Sequence, residues 1–119
     1  MNRVQLSAAA WRSEQDAHRA LAKKYLPDGC SGVIAFGLKG GRAFDNRFLD
    51  ALRLITIETH VADCHTCVLH PASHTHRQLS DEQLRAAGIA PDLMRLSIGL
   101  EDPDDIIADL SAALEAAAR

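Results

Sequence analysis

The sequence has no long apolar run and no secretion signal, and its number of cysteines is odd. No stretch approaches the ~18 apolar residues that a helix needs to cross a bilayer, so no membrane contact is expected. The N-terminal region lacks the apolar centre of a signal peptide, because Trp11 is followed at once by Arg12, Ser13 and Glu14. Three cysteines without a secretion signal argue against a disulfide framework. We therefore expect a cytoplasmic protein.

Concentrated positive charge is also absent. The formal net charge is −3, and the Lys and Arg residues are scattered among acidic ones without forming a basic stripe. Nucleic acid is therefore not an expected partner. The 119 residues, 47% hydrophobic and 24% charged, suit one globular domain with a modest core. No internal repeat, low-complexity tract or linker divides the chain.

Hydrophobic periodicity and turn residues predict an alternation of helices and strands. Apolar residues spaced by three, four and seven are typical of a helix, and apolar–polar alternation is typical of a strand with one polar face. Predicted helices cover residues 7–25, 42–55, 81–87 and 103–119, and predicted strands cover residues 31–41, 66–70 and 93–99, with a possible further strand at 54–57. This order predicts an α/β two-layer sandwich in which helices cover a small mixed or antiparallel sheet.

Local signals define several helix starts and side-chain faces. Ser80 and Gln83 predict a capping box, and Asp102 followed by Pro103 predicts the start of the last helix. Alternation in the strand at 93–99 places Arg95 on a polar face. The residues expected on its apolar face are Met94, Leu96 and Ile98. The residues expected in the buried stripe of the last helix are Ile106, Ile107, Leu110 and Leu114.

Residues 63–76, DCHTCVLHPASHTH, concentrate soft metal ligands. Cys64, Cys67, His70 and His74 could supply four zinc ligands. Only two apolar residues separate Cys67 from His70, however, and in an extended segment successive ligands would point to opposite faces. A redox pair would need its CxxC at a helix N-terminus, and this one leads into a strand. The favoured interpretation is that Cys67 is a core residue and the histidines lie on a loop rim, with no tightly bound metal.

Two longer passages carry a family resemblance. LPDGCSGVIAFGLKGGR and VLHPASHTHRQLSDEQLRAAGIAPDLMRLSIGLEDPDDIIADL, in this order, resemble the C-terminal domain of the pyridoxal-phosphate-dependent Cys/Met-metabolism enzymes, a domain of fold-type I. The resemblance is to the trans-sulfuration group, and within it to the O-acetylhomoserine sulfhydrylase (homocysteine synthase) branch. It extends from about Tyr25 to the C-terminus. In this family the histidine–cysteine stretch is a strand and a loop near the active site, without metal.

The resemblance implies a transferase of methionine biosynthesis that makes homocysteine from O-acetylhomoserine and sulfide or a thiol. It implies that residues 26–119 form the C-terminal domain, and that residues 1–25 form a helix connecting it to a cofactor-binding domain. By position in the motif, Arg95 would bind the substrate α-carboxylate, because a guanidinium matches a carboxylate in two parallel hydrogen bonds. Thr75 falls at an active-site threonine, followed by His76. The family also implies a homo-oligomer.

Some positions depart from the family pattern. The family commonly reads NVGDAKSLVIHP where this chain reads HVADCHTCVLHP, so His60 replaces a small polar residue of the carboxylate pocket, Ala62 a glycine and His65 a lysine. The lysines, none in a Schiff-base motif, are Lys23, Lys24 and Lys39. We therefore expect a fragment, a truncated reading frame or part of a split enzyme, inactive alone and without covalent cofactor. Two alternatives remain: a non-catalytic module that binds a small molecule or a partner, and a small metal-binding protein.

Overall fold

The computed structural model describes residues 5–6, 19–25, 27–28 and 31–119. Its strands are β1 (Gln5–Leu6), β2 (Val33–Gly37), β3 (Thr56–Ile57), β4 (Cys67–Leu69) and β5 (Leu93–Ser97). Its helices are α1 (Arg19–Tyr25), α2 (Gly41–Ala51), α3 (Asp81–Ala86) and α4 (Pro103–Ala117). The predicted N-terminal helix is described from Arg19 onwards, and its earlier part, with Trp11 and His18, lies outside the described residues. None of the described helices is long and apolar enough to cross a membrane.

The five described strands form one sheet in the order β1-β2-β5-β4-β3. Neighbouring strands are antiparallel except β3 and β4, which run parallel. The sheet is therefore mixed, and the predicted α/β sandwich is confirmed. β5 lies at the centre, paired with β2 on one side and with β4 on the other. The short edge strand β1 was not predicted, because two residues carry no periodicity.

One face of the sheet holds the core. Leu96 lies between Ile34 of β2 and Val68 of β4, and Met94 lies beside Phe36. These side chains pack against α2 and α4, which also contact each other. The rings of Phe36 and Phe48 meet edge to face with centroids 6.4 Å apart, a favourable aromatic geometry. The buried core residues that the helices add are Phe44, Phe48, Leu49, Ile106, Ala113 and Ala117.

The buried stripe of α4 differs from the predicted one. Ile107, predicted to be buried, is 59% exposed, whereas Asp109 is buried. The Asp109 carboxylate accepts hydrogen bonds from the backbone N–H groups of Arg53, Leu54 and Ile55 at 2.9, 3.0 and 3.0 Å. These bonds hold the chain after α2, which ends at Ala51 rather than at the predicted residue 55. The buried face of α4 is therefore rotated relative to the predicted one, because burying Asp109 satisfies these three N–H donors.

The predicted helix starts are confirmed. The Ser80 hydroxyl accepts from the Gln83 N–H, and the Gln83 side chain accepts from the Ser80 N–H, so both halves of the capping box are present. The Asp102 carboxylate accepts from the Asp104 N–H at 2.9 Å, with Pro103 as the first helical residue. These contacts satisfy N–H groups that a helix start leaves without intrahelical partners.

Candidate functional site

Arg95 lies on the face of the sheet opposite the core, as the alternation predicted. In the sheet it stands between Ala35 of β2 and Leu69 of β4. Its Nη2 donates to the carbonyl oxygens of Thr59 at 2.7 Å and His60 at 3.3 Å. Its Nε is buried and has no hydrogen-bond partner within the described part of the chain. The guanidinium therefore keeps donor capacity that its protein neighbours do not satisfy.

The loop at residues 58–65 covers this face beside Arg95. The Ala62 N–H donates to the Ser97 hydroxyl at 3.1 Å, and the Cys67 thiol donates to the His60 carbonyl at 3.2 Å. Ser97 and Cys67 share the face of Arg95, so the loop is fixed on the sheet at several points. Ala62 has φ 59°, a left-handed conformation that is costly for a residue with a Cβ. The glycine of the family pattern at this position would adopt it without strain.

A half-buried hydrogen-bond network joins this loop to the segment after β5. Glu101 accepts from the Thr66 N–H and the Thr66 hydroxyl, each at 2.7 Å, and the Gly99 N–H donates to the Thr66 hydroxyl oxygen at 2.9 Å. The two Thr66 donors lower the pKa of Glu101. A Cβ on Gly99 would lie 2.5 Å from the Cys64 carbonyl oxygen, so the close approach requires glycine. Sequence reasoning missed Thr66 and Glu101, because 35 residues separate the partners.

The other predicted substrate contacts lie in two places. His60 is next to Arg95 through its backbone carbonyl, whereas its imidazole is exposed and its Nδ1 lies 3.1 Å from Glu58 Oε2. Thr75 is exposed, with its hydroxyl 2.9 Å from His76 Nδ1. Among residues 31–119 no hydrogen bond joins Thr75 to Arg95 or to His60. The structure therefore brings His60 and Arg95 together, and it does not link Thr75 to them.

His70 is fully buried, so the prediction that the histidines lie on a loop rim is wrong for this residue. Its Nε2 donates to the Pro91 carbonyl at 2.9 Å, and its Nδ1 lies 2.9 Å from the Ser73 hydroxyl. Burial lowers the pKa of His70, and the bond to Pro91 opposes this shift. Sequence reasoning missed the burial because the Pro91 carbonyl lies 21 residues further along the chain.

A buried carboxyl lies beside His70. Asp45 of α2 is fully buried, and neither of its oxygens has a hydrogen-bond partner among the described residues. Its Oδ2 lies 3.7 Å from His70 Nε2, beyond hydrogen-bonding distance. Burial raises the pKa of Asp45 to about 6, and the negative charge of Asp92 adds to the increase. No feature of the sequence singled out Asp45, because the histidine beside it lies 25 residues further along the chain.

The four residues of the candidate zinc set are not brought together. Cys67 is buried, as predicted, with its thiol bonded to the His60 carbonyl, and His70 is held by Ser73 and Pro91. His74 Nδ1 lies 2.9 Å from the His70 carbonyl oxygen. In the described part of the chain, the groups of potential ligands whose atoms converge lie instead in the loop at 58–65 and contain none of Cys67, His70 and His74.

The lysines do not fit a covalently held pyridoxal phosphate. Lys23 and Lys24 are exposed on the short helix α1, and the Lys24 ammonium lies 5.1 Å from the Tyr25 ring centroid. Lys39 is exposed in the turn before α2. The lysines lie in open positions, whereas a Schiff-base lysine has to face the bound substrate.

Comparison with known proteins gives a consistent result. A family model described as Cys/Met metabolism PLP-dependent enzyme matches residues 9–115. Homocysteine synthase of Schizosaccharomyces pombe is 44% identical over 104 residues, which are 87% of this chain and 24% of that protein. O-acetyl-L-homoserine sulfhydrylase 1 of Thermus thermophilus is 44% identical over 97 residues, 82% of this chain and 23% of that protein. The chain spans about a quarter of the length of these curated relatives.

Solved structures show the same similarity. A Campylobacter jejuni protein assigned as an O-acetylhomoserine (thiol)-lyase, with a pyridoxyl-lysine phosphate, matches with a TM-score of 0.77 at 37% identity, covering 94% of this chain and 26% of that one. Cystathionine gamma synthase of Xanthomonas oryzae, in complex with cystathionine, matches with a TM-score of 0.77 at 34% identity, covering 97% and 29%.

Proposed function

Since the chain belongs to the Cys/Met metabolism PLP-dependent enzyme family, we propose that it is the substrate-carboxylate-binding part of an O-acetylhomoserine sulfhydrylase-like transferase. Such an enzyme makes homocysteine from O-acetylhomoserine and sulfide or a thiol. Residues 26–119 form its small α/β domain, and residues 1–25 connect this domain to a cofactor-binding region. The complete enzyme is a cytoplasmic homo-oligomer that binds pyridoxal phosphate.

The observation that carries this proposal is the state of Arg95. Its Nη2 is anchored on two backbone carbonyls, which fix the side chain, while its buried Nε has no acceptor among the residues that the structure describes. A buried donor without a partner costs about 1–3 kcal/mol, so an acceptor supplied by a ligand would restore that loss. A carboxylate is the acceptor that matches a guanidinium in geometry and charge.

In this proposal the cofactor is bound by a domain outside this chain. Pyridoxal phosphate, when bound, supplies the electron sink for chemistry at the amino-acid substrate. The three exposed lysines support this division, and the 119 residues contribute the residues that hold and orient the substrate. The chain therefore works together with a lysine-bearing domain. An adjacent reading frame that encodes such a domain, found by sequencing the surrounding DNA, would support the proposal.

The direct test is Arg95→Ala in the chain combined with a cofactor-binding domain, supplied from the adjacent reading frame or from a relative. Loss of a charge-assisted bidentate pair costs about 2–5 kcal/mol, so the amino-acid substrate should bind roughly 30-fold to several thousand-fold more weakly. Arg95→Lys should recover only part of the affinity, because an ammonium cannot make two parallel hydrogen bonds. The affinity for the substrate is measured from the change in cofactor absorbance as substrate is added.

Arg53→Ala is the matched control, because the side chain of Arg53 is exposed and Arg53 is not among the hydrogen-bond partners of Arg95. It should leave substrate affinity unchanged. The cofactor absorbance without substrate should be the same in all variants. If Arg95→Ala binds the substrate as tightly as the unmodified chain, Arg95 is a structural residue and the assigned role is wrong.

A further inference from the structure

The loop between β3 and β4 gathers five potential metal ligands that the proposed transferase role does not use as side chains. We call them the ligand cluster: Glu58, His60, Asp63, Cys64 and His65. Two groups of three have all their ligand atoms within 4.8 Å of one another, and Asp63 belongs to both groups. One group consists of Asp63, Cys64 and His65, and the other of Glu58, His60 and Asp63. The set differs from the one that the CxxC spacing suggests.

The spacing of the first group suits a tetrahedral ion. Zn²⁺ binds nitrogen and oxygen at about 2.0–2.2 Å and sulfur at about 2.3 Å, so ligand atoms at two tetrahedral corners lie roughly 3.3–3.7 Å apart. His65 Nδ1 lies 3.4 Å from Asp63 Oδ1 and 3.4 Å from Cys64 Sγ. Two of the three separations therefore match those that an ion needs, and the third is within 4.8 Å. Thiolate, imidazole and carboxylate together are a donor set of zinc and its chemical relatives.

Contacts from outside the cluster hold these residues in place. The Leu100 N–H donates to the Cys64 carbonyl at 2.8 Å, and the Ala62 N–H donates to Ser97 on β5. Thr66, the next residue after the group, is fixed by Glu101. The backbone that carries the three ligands is thus attached to the sheet and to the segment after β5. Ion binding would have to order three side chains rather than a whole loop, which lowers its entropic cost.

The charge around the loop also favours a cation. Glu58, Asp63 and Glu101 place three carboxylates on or beside it, and the neighbouring Arg95 directs its Nη2 to backbone carbonyls. His60 lies between Glu58 Oε2, at 3.1 Å, and Asp63 Oδ2, at 3.9 Å. A divalent ion on Asp63 would offset this concentration of negative charge.

We propose that Asp63, Cys64 and His65 bind a divalent transition-metal ion, Zn²⁺ being the best match. Glu58 and His60 flank the ion, and solvent completes its coordination. His65 is 75% exposed, so the site is open and its ion exchangeable. An open site with three protein ligands should have micromolar affinity and should lose its ion to a chelator, unlike a closed four-ligand structural site. The proposal does not depend on the transferase assignment.

The test is titration of the full chain with Co²⁺, followed by competition with Zn²⁺. We expect one ion per chain and a near-ultraviolet thiolate-to-cobalt charge-transfer band, because Cys64 is a ligand. Cys64→Ser should abolish the band, and His65→Gln should weaken Co²⁺ and Zn²⁺ binding at least about tenfold. His76→Gln, which replaces a histidine outside the cluster, is the matched control and should bind both ions like the unmodified chain.

Cys64 and His65 are exposed, so circular dichroism should show an unchanged fold in Cys64→Ser and His65→Gln. Cys30→Ser and Cys67→Ala identify the thiolate if the band has another source. Equal affinity in the unmodified chain and His65→Gln would overturn the proposal. A band that persists in Cys64→Ser and disappears in Cys30→Ser or Cys67→Ala would do so as well.

Discussion

Replacing Asp45 with asparagine should stabilise the fold at neutral pH and lose this advantage in mild acid. Asp45 is fully buried, has no hydrogen-bond partner among the described residues, and lies 3.7 Å from a histidine that is itself buried. An ionised carboxylate in this position is neither solvated nor paired. Asparagine has nearly the same shape and never carries the charge, so the substitution isolates the cost of ionisation.

The sign and size of the effect follow from the pKa of Asp45. Burial raises it from 3.8 to about 6, so the folded state keeps a proton that the unfolded state has already lost in this interval. Stability falls as the pH rises through this interval, and the full cost above it is about 3 kcal/mol. Burial lowers the pKa of His70, so this residue gives stability the opposite pH dependence: the free energy of unfolding falls as the pH drops below 6.5. Both chains keep His70, so that contribution largely cancels in their difference.

The assay is urea unfolding of both chains, followed by far-ultraviolet circular dichroism between about pH 4 and pH 7.5. The free energy of unfolding of Asp45→Asn should exceed that of the unmodified chain by up to about 3 kcal/mol at the upper end, and the difference should shrink towards the lower end. Asp50→Asn, at an exposed position on the same helix, should show no pH-dependent difference. A difference that stays constant across the range would refute the reasoning.

Further outcomes test other parts of the fold. Asp109→Ala removes the acceptor of three backbone N–H groups and should lower the free energy of unfolding by about 2–4 kcal/mol, whereas Asp105→Ala, at an exposed position of the same helix, should change it far less. Ala62→Gly should raise the free energy of unfolding by about 0.5–1 kcal/mol. Glycine relieves the strain of the left-handed backbone, but its greater conformational entropy in the unfolded state offsets part of that gain. A lower melting temperature for Ala62→Gly would contradict this explanation. Incubation of the chain with pyridoxal phosphate and borohydride should leave no lysine stoichiometrically labelled in mass spectra; specific labelling of one would disprove it. The lysines to inspect are Lys23, Lys24 and Lys39.

The features that the sequence predicted correctly depend on near neighbours in the chain. The capping box at Ser80 and the Asp102–Pro103 helix start each involve residues at most three positions apart. The alternation through β5 depends only on strand geometry, and it placed Arg95 opposite the core. The family resemblance supplied the role expected for Arg95, which alternation alone does not distinguish from that of a surface arginine.

The features that it missed depend on partners far apart in the chain. Ile107 fits an apolar stripe as well as its neighbours do, but the buried position goes to Asp109, whose partners lie 54–56 residues earlier. His70 can be buried because its Nε2–H group donates a hydrogen bond to the Pro91 carbonyl across the fold. Thr66 and Glu101 form their network over 35 residues. Periodicity carries no information about such polar pairs, because each is defined only after the strands have paired.

The departures from the family pattern concentrate in the loop that holds Arg95, and the contacts explain how the loop accommodates them. Arg95 donates its hydrogen bonds to the backbone carbonyl oxygens of Thr59 and His60, which every residue type possesses. Ala62 keeps the left-handed backbone that a glycine would adopt, at an energetic cost but with its N–H still on Ser97. The position of Arg95 therefore depends on the path of the loop, and the side chains at 60 and 65 can change without moving it. Both changes introduced histidines, and both imidazoles are exposed beside Asp63. The two proposals are therefore compatible, because Arg95 is held by the main chain of this loop and the proposed metal ligands are its side chains, so loss of the ion should leave Arg95 in place.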